Sequence, residues 1–375
     1  MSKKKERSKT HDKGGGIDRR KFIMAAGATA AISTLGGLNA KGAPAAGAQT
    51  VSVSARPGVL DNSPIVMLWR RVTELKEVKD FVSTNLRMPL IGQDQISAIY
   101  DGGVVLVGYA VQDDVATTTA SGSTTCSIES PMAVPLQANP ASAMIMAPLD
   151  FTSSVRIVFA GRGATPLYRS ELGETLSFID DDGNYSSFYR PYTFAFEGKA
   201  GEKLAALLKN RERHTIIPAS LERDVKRQDI PNPVIGFDLM VSDLAKSRKF
   251  YADVLGLTPL SSGPNEAKLD SGSIILSLKS EPSNMLVKFL KRTGRLRADW
   301  IVFHVNDIKA KMHALKERGV HFPHGIETSP IGQVAYFNDP DGYSFNLWQP
   351  SGKPHGIDFY PALKRILKET TRSAA

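Results

Sequence analysis

Two short acidic runs recur in this chain, Asp180-Asp181-Asp182-Gly183 and Asp339-Pro340-Asp341-Gly342. Closely spaced carboxylates can ligate a hard cation such as calcium, but the later oxygen ligands of a calcium loop are missing here. Asp and Gly in this order also let a tight turn bond its own backbone, so both runs read as hairpin turns. His321-Phe322-Pro323-His324 places two imidazoles in one loop, a spacing open to metal ligation and equally to a solvated loop. Two more ionisable residues lie in runs that read as strands. Side-chain alternation puts Asp238 on the face of Gly236, and His304 on the face of Trp300. A carboxylate and an imidazole that meet across one cavity act as general acid and base, or as part of a metal site. Cys126 is the one cysteine, which excludes an internal disulfide and a thiolate-based zinc or iron–sulfur centre.

The elements that position these residues occur twice. Residues 72–108 overlay 241–277 at a constant offset of 169, with Val72/Val241, Leu75/Leu244, Phe81/Phe250, Leu86/Leu255, Asp101/Asp270 and Gly103/Gly272 identical. Residues 178–191 overlay 337–350 at an offset of 159, keeping the Phe, the Asp-x-Asp-Gly turn and the final Pro. That period suits a duplicated domain and is too long for a solenoid. In the second copy, Val234–Val241 reads as a strand. A helix follows, capped by Ser242 or Asp243 and closed by Gly256, and then three strands. The plan, β-α-β-β-β, returns at 299–350. In the first copy, residues 111–177 give no clear helix, and Val155–Ala160 reads as a strand, so a second module that is degenerate or carries an insertion is expected there.

The chain has 375 residues, 42% apolar and 23% charged, as an ordinary globular protein does. Its net charge of +9 belongs mostly to residues 1–48, whose ten Lys/Arg and three Asp/Glu give +7 and leave +2 for the rest. That distribution gives no electrostatic footprint for nucleic acid. The leader itself runs from Asp18-Arg19-Arg20-Lys21-Phe22-Ile23 through a weakly apolar stretch to Ala46-Gly47-Ala48. It looks like a twin-arginine export signal, cut after Ala48. The expected destination is periplasmic or extracellular, with no stable membrane span once the signal is removed. The expected organisation is a signal (1–48), a tether (49–63), a first domain (64–196), a helix and charged linker (197–231), a second domain (232–352) and a tail (353–375).

VIGFDLMVSDLAKSRKFYADVLGL, followed by YFNDPDGYSFNLWQP, resembles the vicinal oxygen chelate superfamily, which includes glyoxalase I, extradiol dioxygenases and bleomycin-resistance proteins. The first half resembles it through its match to the second. The resemblance implies an α+β fold of tandem glyoxalase-like domains, each a pair of β-α-β-β-β modules forming a curved mixed sheet around a cleft. In active members, first and last strands of each module carry His or carboxylate ligands to a divalent metal. The matching positions here are Gly236, Ser277, Trp300 and Asn346, and, in the first half, Met67, Gly108 and Ser187. None of these side chains is a good ligand for such an ion.

The resemblance also places Asp238 and His304 in one cleft, as an acid/base pair or as displaced metal ligands. Met240, Ser277, Trp300, Asn346 and Trp348 would line the same cleft as an aromatic-walled pocket with an amide to orient its contents. The expected function is small-molecule binding in the second domain, with no cofactor required. The alternative is a lyase or dioxygenase-like enzyme whose divalent metal is held by displaced ligands.

Overall fold

The computed structural model describes residues 58–111, 141–161, 164, 167–210, 232–280, 299–329, 331–353 and 357–373, all inside one unit, Ala45–Ala375. The export signal, Cys126 and the charged stretch 211–231 lie outside the described residues. Four modules follow one another. The first is β1 (Ile65–Val72), α1 (Leu75–Asp80, continued by a wider turn Phe81–Asn85), β2 (Leu90–Gln93), β3 (Ser97–Asp101) and β4 (Leu106–Val111). The second is β5 (Ser142–Met146), α2 (Phe151–Gly161), β6 (Tyr168–Ser170), β7 (Gly173–Ile179) and β8 (Tyr185–Pro191), with α3 (Gly198–Asn210) after it. The third is β9 (Val234–Met240), α4 (Leu244–Lys249, continued by Phe250–Val254), β10 (Thr258–Ser262), β11 (Glu266–Asp270) and β12 (Ile275–Lys279). The fourth is β13 (Trp300–His304), α5 (Ile308–Glu317), β14 (Glu327–Ser329), β15 (Gly332–Asn338) and β16 (Ser344–Pro350), with α6 (Tyr360–Ser373) last.

The second module is therefore whole, and Val155–Ala160 is helical rather than extended. Its β-branched residues suggest a strand, but Phe151, Ser154 and Val158 recur at helical spacing and are buried. Asp150 caps this helix, accepting the Ser153 N–H at 2.9 Å. Where the fourth module's first strand after its helix is expected, His321–Phe322 is irregular and leads into a turn at Pro323-His324. Among the described residues, no helix is long and apolar enough to cross a membrane.

The modules combine into two eight-stranded mixed sheets, ordered β14-β15-β16-β13-β1-β4-β3-β2 and β10-β11-β12-β9-β5-β8-β7-β6. Each sheet takes one module from each half of the chain. In the first sheet β1 runs antiparallel to β13, with Met67 opposite Val302 and Trp69 opposite Trp300. In the second, β5 runs antiparallel to β9, with Ala143 opposite Asp238 and Ile145 opposite Gly236. Modules of the same half meet in the core instead. There Leu68, Tyr100, Phe303 and Phe345 of the first sheet, Phe237, Leu239, Phe178 and Phe188 of the second, and helix residues Val82, Tyr251 and Leu315 form one apolar cluster. Phe81 meets Phe178 edge-on at 6.1 Å, and Tyr251 meets Phe345 at 5.9 Å.

The recurrent acidic hairpins hold that contact. Asp339 Oδ1 accepts the N–H groups of Asp341 and Tyr343 within its own turn, at 2.9 and 2.8 Å. Asp341 reaches into the third module, accepting from Ser242 N and Ser247 Oγ, both at 2.8 Å. In the first half Asp180 closes the turn through Asp182 N and Asn184 N, and Asp182 accepts from Thr73 N at 2.9 Å and from its hydroxyl. The turn reading of these carboxylates therefore holds, and each second Asp also ties its hairpin to the start of the helix in the preceding module.

Candidate functional site

The faces turned away from the common core are the two clefts of the fold, and they are filled in opposite ways. On the first sheet, Val66, Met67, Ile99, Leu106, Val302, Val334 and Trp348 line the cleft. Packed onto them are Ile357, Phe359, Tyr360, Ala362, Leu363 and Ile366. The stretch expected as a tail is thus a helix whose apolar side occupies this cleft, with Lys364 and Lys368 exposed on the other side. Gly92 on β2 marks how close the segment comes, since a Cβ there would lie 2.7 Å from Ile357 Cγ2. Arg365 fixes the helix with two bonds to the Asp101 carboxylate, both 2.8 Å, and one to the Gly103 carbonyl at 2.9 Å.

His304, Trp300, Asn346 and Trp348 belong to this first sheet. Trp348 donates to the Ile331 carbonyl at 3.3 Å and lies 5.6 Å from the Phe359 ring. Arg71 stacks over Trp300 at 4.8 Å. Burial pushes the His304 imidazole below its ordinary pKa, so it is neutral at neutral pH.

The second cleft has small side chains interspersed on its floor. Across β12, β9, β5, β8 and β7, one inward row reads Ile275, Gly236, Ile145, Ser187 and Ser177, and the next Ser277, Asp238, Ala143, Tyr185 and Ile179. Tyr185 and Met240 form a small apolar cluster with Ala143. Hydroxyls join across the floor: Tyr185 Oη donates to Ser177 Oγ at 3.1 Å, and Ser177 and Ser187 lie 2.9 Å apart. At the rim, Lys279 Nζ meets Asp238 at 2.6 Å and Glu266 at 3.6 Å. Burial works against the Lys279 charge, but Asp238 and then Glu266 more than restore it, so the ammonium titrates above its ordinary range. Burial, reinforced by Glu266, pushes the nearby Tyr189 phenol up to about 12.

The two helices that end the halves hold equivalent turns. Lys203 of α3 pairs with Asp270 at 2.8 Å and donates to the Gly272 carbonyl at 2.6 Å, as Arg365 does with Asp101 and Gly103. Asp270 shares its strand face with Glu266 and Lys268 (spacing two), so Lys203 ties α3 to the second-cleft face of β11.

The expected acid/base pair is not assembled. Asp238 lies on the second sheet and His304 on the first. The five expected lining residues divide the same way, Met240 and Ser277 with Asp238, and Trp300, Asn346 and Trp348 with His304. The cause is the module pairing: modules three and four share a core but not a sheet. His321 and His324 are both exposed, as a solvated loop requires. Lys279, Glu266, Tyr185 and Ser177 were not expected as site residues, although alternation along β12 already places Lys279 on the face of Ser277.

At the positions that match the family's metal ligands, neither cleft offers a His or a carboxylate. In the first, Met67 packs in the apolar cluster, and a side chain on Gly108 would meet the Trp69 ring at 2.3 Å. In the second, the matching positions offer only Gly236 and the hydroxyls of Ser277 and Ser187. Thioether and neutral hydroxyl donors are weaker ligands for such an ion than the imidazoles and carboxylates that hold it in active members. Among the described residues, no group of three or more His, Cys, Asp or Glu is placed to hold a metal.

Residues 234–347 match the family model described as Glyoxalase/Bleomycin resistance protein/Dioxygenase superfamily, so the chain carries a domain of that superfamily. A probable lactoylglutathione lyase of Vibrio parahaemolyticus is 27% identical over 130 residues, which is 32% of this chain and 92% of that protein. Among solved structures, a putative dioxygenase from Bacillus subtilis aligns with 84% of this chain and 97% of its own, at 12% identity and a TM-score of 0.51. Glyoxalase I from Zea mays aligns with 81% of this chain and 96% of its own, at 15% identity and a TM-score of 0.47. At such identity the Bacillus structure bears on the fold alone, two glyoxalase-like domains in tandem.

Proposed function

We propose that this is an exported protein that binds a small polar molecule in the second cleft, without a resident metal. The observation that carries this reading is the contrast between the clefts. The first is lined by large apolar side chains and filled by the chain's own C-terminal segment. The second sets Gly236, Ala143 and three serines among Ile145, Ile275 and Tyr185, with the Asp238–Lys279 ion pair on the same face. Small residues under a sheet leave volume for a ligand, and the hydroxyls and paired charges orient it.

Lys279 supports binding rather than amine chemistry, because two carboxylates keep it protonated. A lyase or dioxygenase-like reaction, as the names of similar proteins suggest, would need a metal or an acid/base pair. Asp238 and His304, the residues with the right chemistry, stand on different sheets. Export rests on the Arg19-Arg20 leader, and replacing both arginines by lysine is expected to keep the protein in the cytoplasm of a host with that route.

The test uses the full chain, folded in the cytoplasm. A thermal-shift screen of sugars, amino acids and small dicarboxylates is expected to give hits that Ser277→Phe and Lys279→Met abolish and Trp300→Phe preserves. Hits indifferent to Ser277→Phe would place binding elsewhere. Elemental analysis showing one divalent ion per chain, lost in Asp238→Asn, would overturn the metal-free reading.

A further inference from the structure

We infer that the first cleft is a second binding site, for a small aromatic molecule, and that residues 357–367 are its built-in occupant. The segment lies across the inward face of β1, β3, β4, β13, β15 and β16. Its own side chains report what the cleft accepts. Phe359 sits 5.6 Å from Trp348 and stacks on Tyr360 at 4.9 Å, while Ile357 fills the space left by Gly92. A planar, largely apolar ring satisfies the same surface. Two polar side chains lie on the same face, one of them without a partner. Trp300 Nε1 is buried and has no hydrogen-bond partner among the described residues. Asn346 is 9% exposed, stands opposite Tyr336 and beside Val302. A ring carrying one acceptor would answer the indole N–H, an unmet demand that the segment leaves in place.

The occupant is held in a way that allows it to leave as a unit. Ile357 forms an isolated β-bridge, but among the described residues no backbone hydrogen bond joins helical residues 360–366 to the sheet, whereas every strand beneath them is held by a ladder. Their side-chain ties include the Arg365 grip on Asp101 and Gly103 and the Tyr360 hydroxyl, which donates to the Ile331 carbonyl at 3.2 Å and lies 3.3 Å from Ser351 Oγ. The chain leading into it is Ser351-Gly352-Lys353-Pro354-His355-Gly356, with two glycines. A ligand for the open cleft competes with the segment, so anything that weakens the grip raises the ligand's apparent affinity by the gain in open population.

The experiment uses the full chain and anilinonaphthalene sulfonate as the aromatic probe. Arg365→Ala is expected to bind the probe at least tenfold more tightly than the unaltered chain. Hydrogen exchange read by mass spectrometry is expected to show 357–367 exchanging faster when the probe is present, and β1 and β13 no faster. If Arg365→Ala does not fold, Asp101→Asn releases the grip from the other side and carries the same expectation. Equal probe affinity in altered and unaltered chains, or exchange at 357–367 unmoved by saturating probe, overturns the proposal and assigns the probe to another surface such as the exposed Phe194 and Phe196.

Discussion

Arg70 and Asp299 form an ion pair at 3.1 Å in which each side chain is 1% exposed. Arg70 comes from β1 of the first sheet, yet it also donates to Ser186 Oγ and the Tyr185 carbonyl on β8 of the second, both at 2.7 Å. Asp299 completes the tie, its N–H donating to Ser142 Oγ at 2.9 Å. Burial opposes the Arg70 charge, and Asp299 more than offsets that cost, so the guanidinium stays charged. Burial lifts the Asp299 carboxyl to about 6; Arg70 pulls against this, and Asp180 adds to it.

Removing one partner of such a pair strands the other charge in the core. Asp299→Asn at pH 7.5 is expected to cost about 3–5 kcal/mol, read by urea unfolding. Replacing both, as Arg70→Met with Asp299→Leu, should recover most of that loss, because two apolar side chains need no solvation. A double variant as unstable as the single one would mean that the bonds to β8, rather than the charge pair, hold the sheets together.

The fold was legible in the sequence wherever the repeat was. Val72–Gly108 and its copy predict modules one and three, and the Asp-x-Asp-Gly turns predict the closing hairpins. The pairing of modules across the halves was not legible, because it depends on which edge strands meet, and β1–β13 and β5–β9 carry no motif. That is why Asp238 and His304 were expected together. Arg70 was equally hidden, since its repeat counterpart is Leu239 and nothing local marks it as a buried charge. Helix α6 did leave a signal in Phe359, Leu363 and Ile366 at helical spacing, but what it covers is a long-range fact.

The two acidic hairpins should differ in weight. Asp341 is 6% exposed and accepts from Ser242 N and Ser247 Oγ, whereas Asp182 is half-buried and serves Thr73 alone. Asp341→Ala leaves the buried Ser247 hydroxyl and the partly buried Ser242 N–H unmet and is expected to cost about 2 kcal/mol, against about 1 kcal/mol for Asp182→Ala. Equal losses in denaturant titrations would show that burial does not set the strength of these ties.

His304 gives stability an acid-side slope. Its folded-state pKa lies below the ordinary value because burial disfavours the charged imidazole. The unfolded chain therefore takes up the proton first, at about 6.5, and stability present above that pH is lost as pH falls toward the lower folded value. His304→Gln should flatten this part of the curve of unfolding free energy against pH. An unchanged slope would assign it to another group.

Gly92 and Ile357 test the seating of the C-terminal segment. A Cβ at Gly92 would stand 2.7 Å from Ile357 Cγ2 and 3.5 Å from its Cβ, so Gly92→Ala overpacks the contact and should cost about 1–3 kcal/mol. Ile357→Ala removes the obstructing atoms and leaves a void, at a cost of about 2–5 kcal/mol. Together the added methyl enters part of the vacated space, so the double variant should be more stable than the sum of the singles predicts, by about 1 kcal/mol or more in a double-mutant cycle. Two side chains that never touch would give additive losses. Additivity within about 0.3 kcal/mol would place Ile357 away from β2 and remove the support for a filled first cleft.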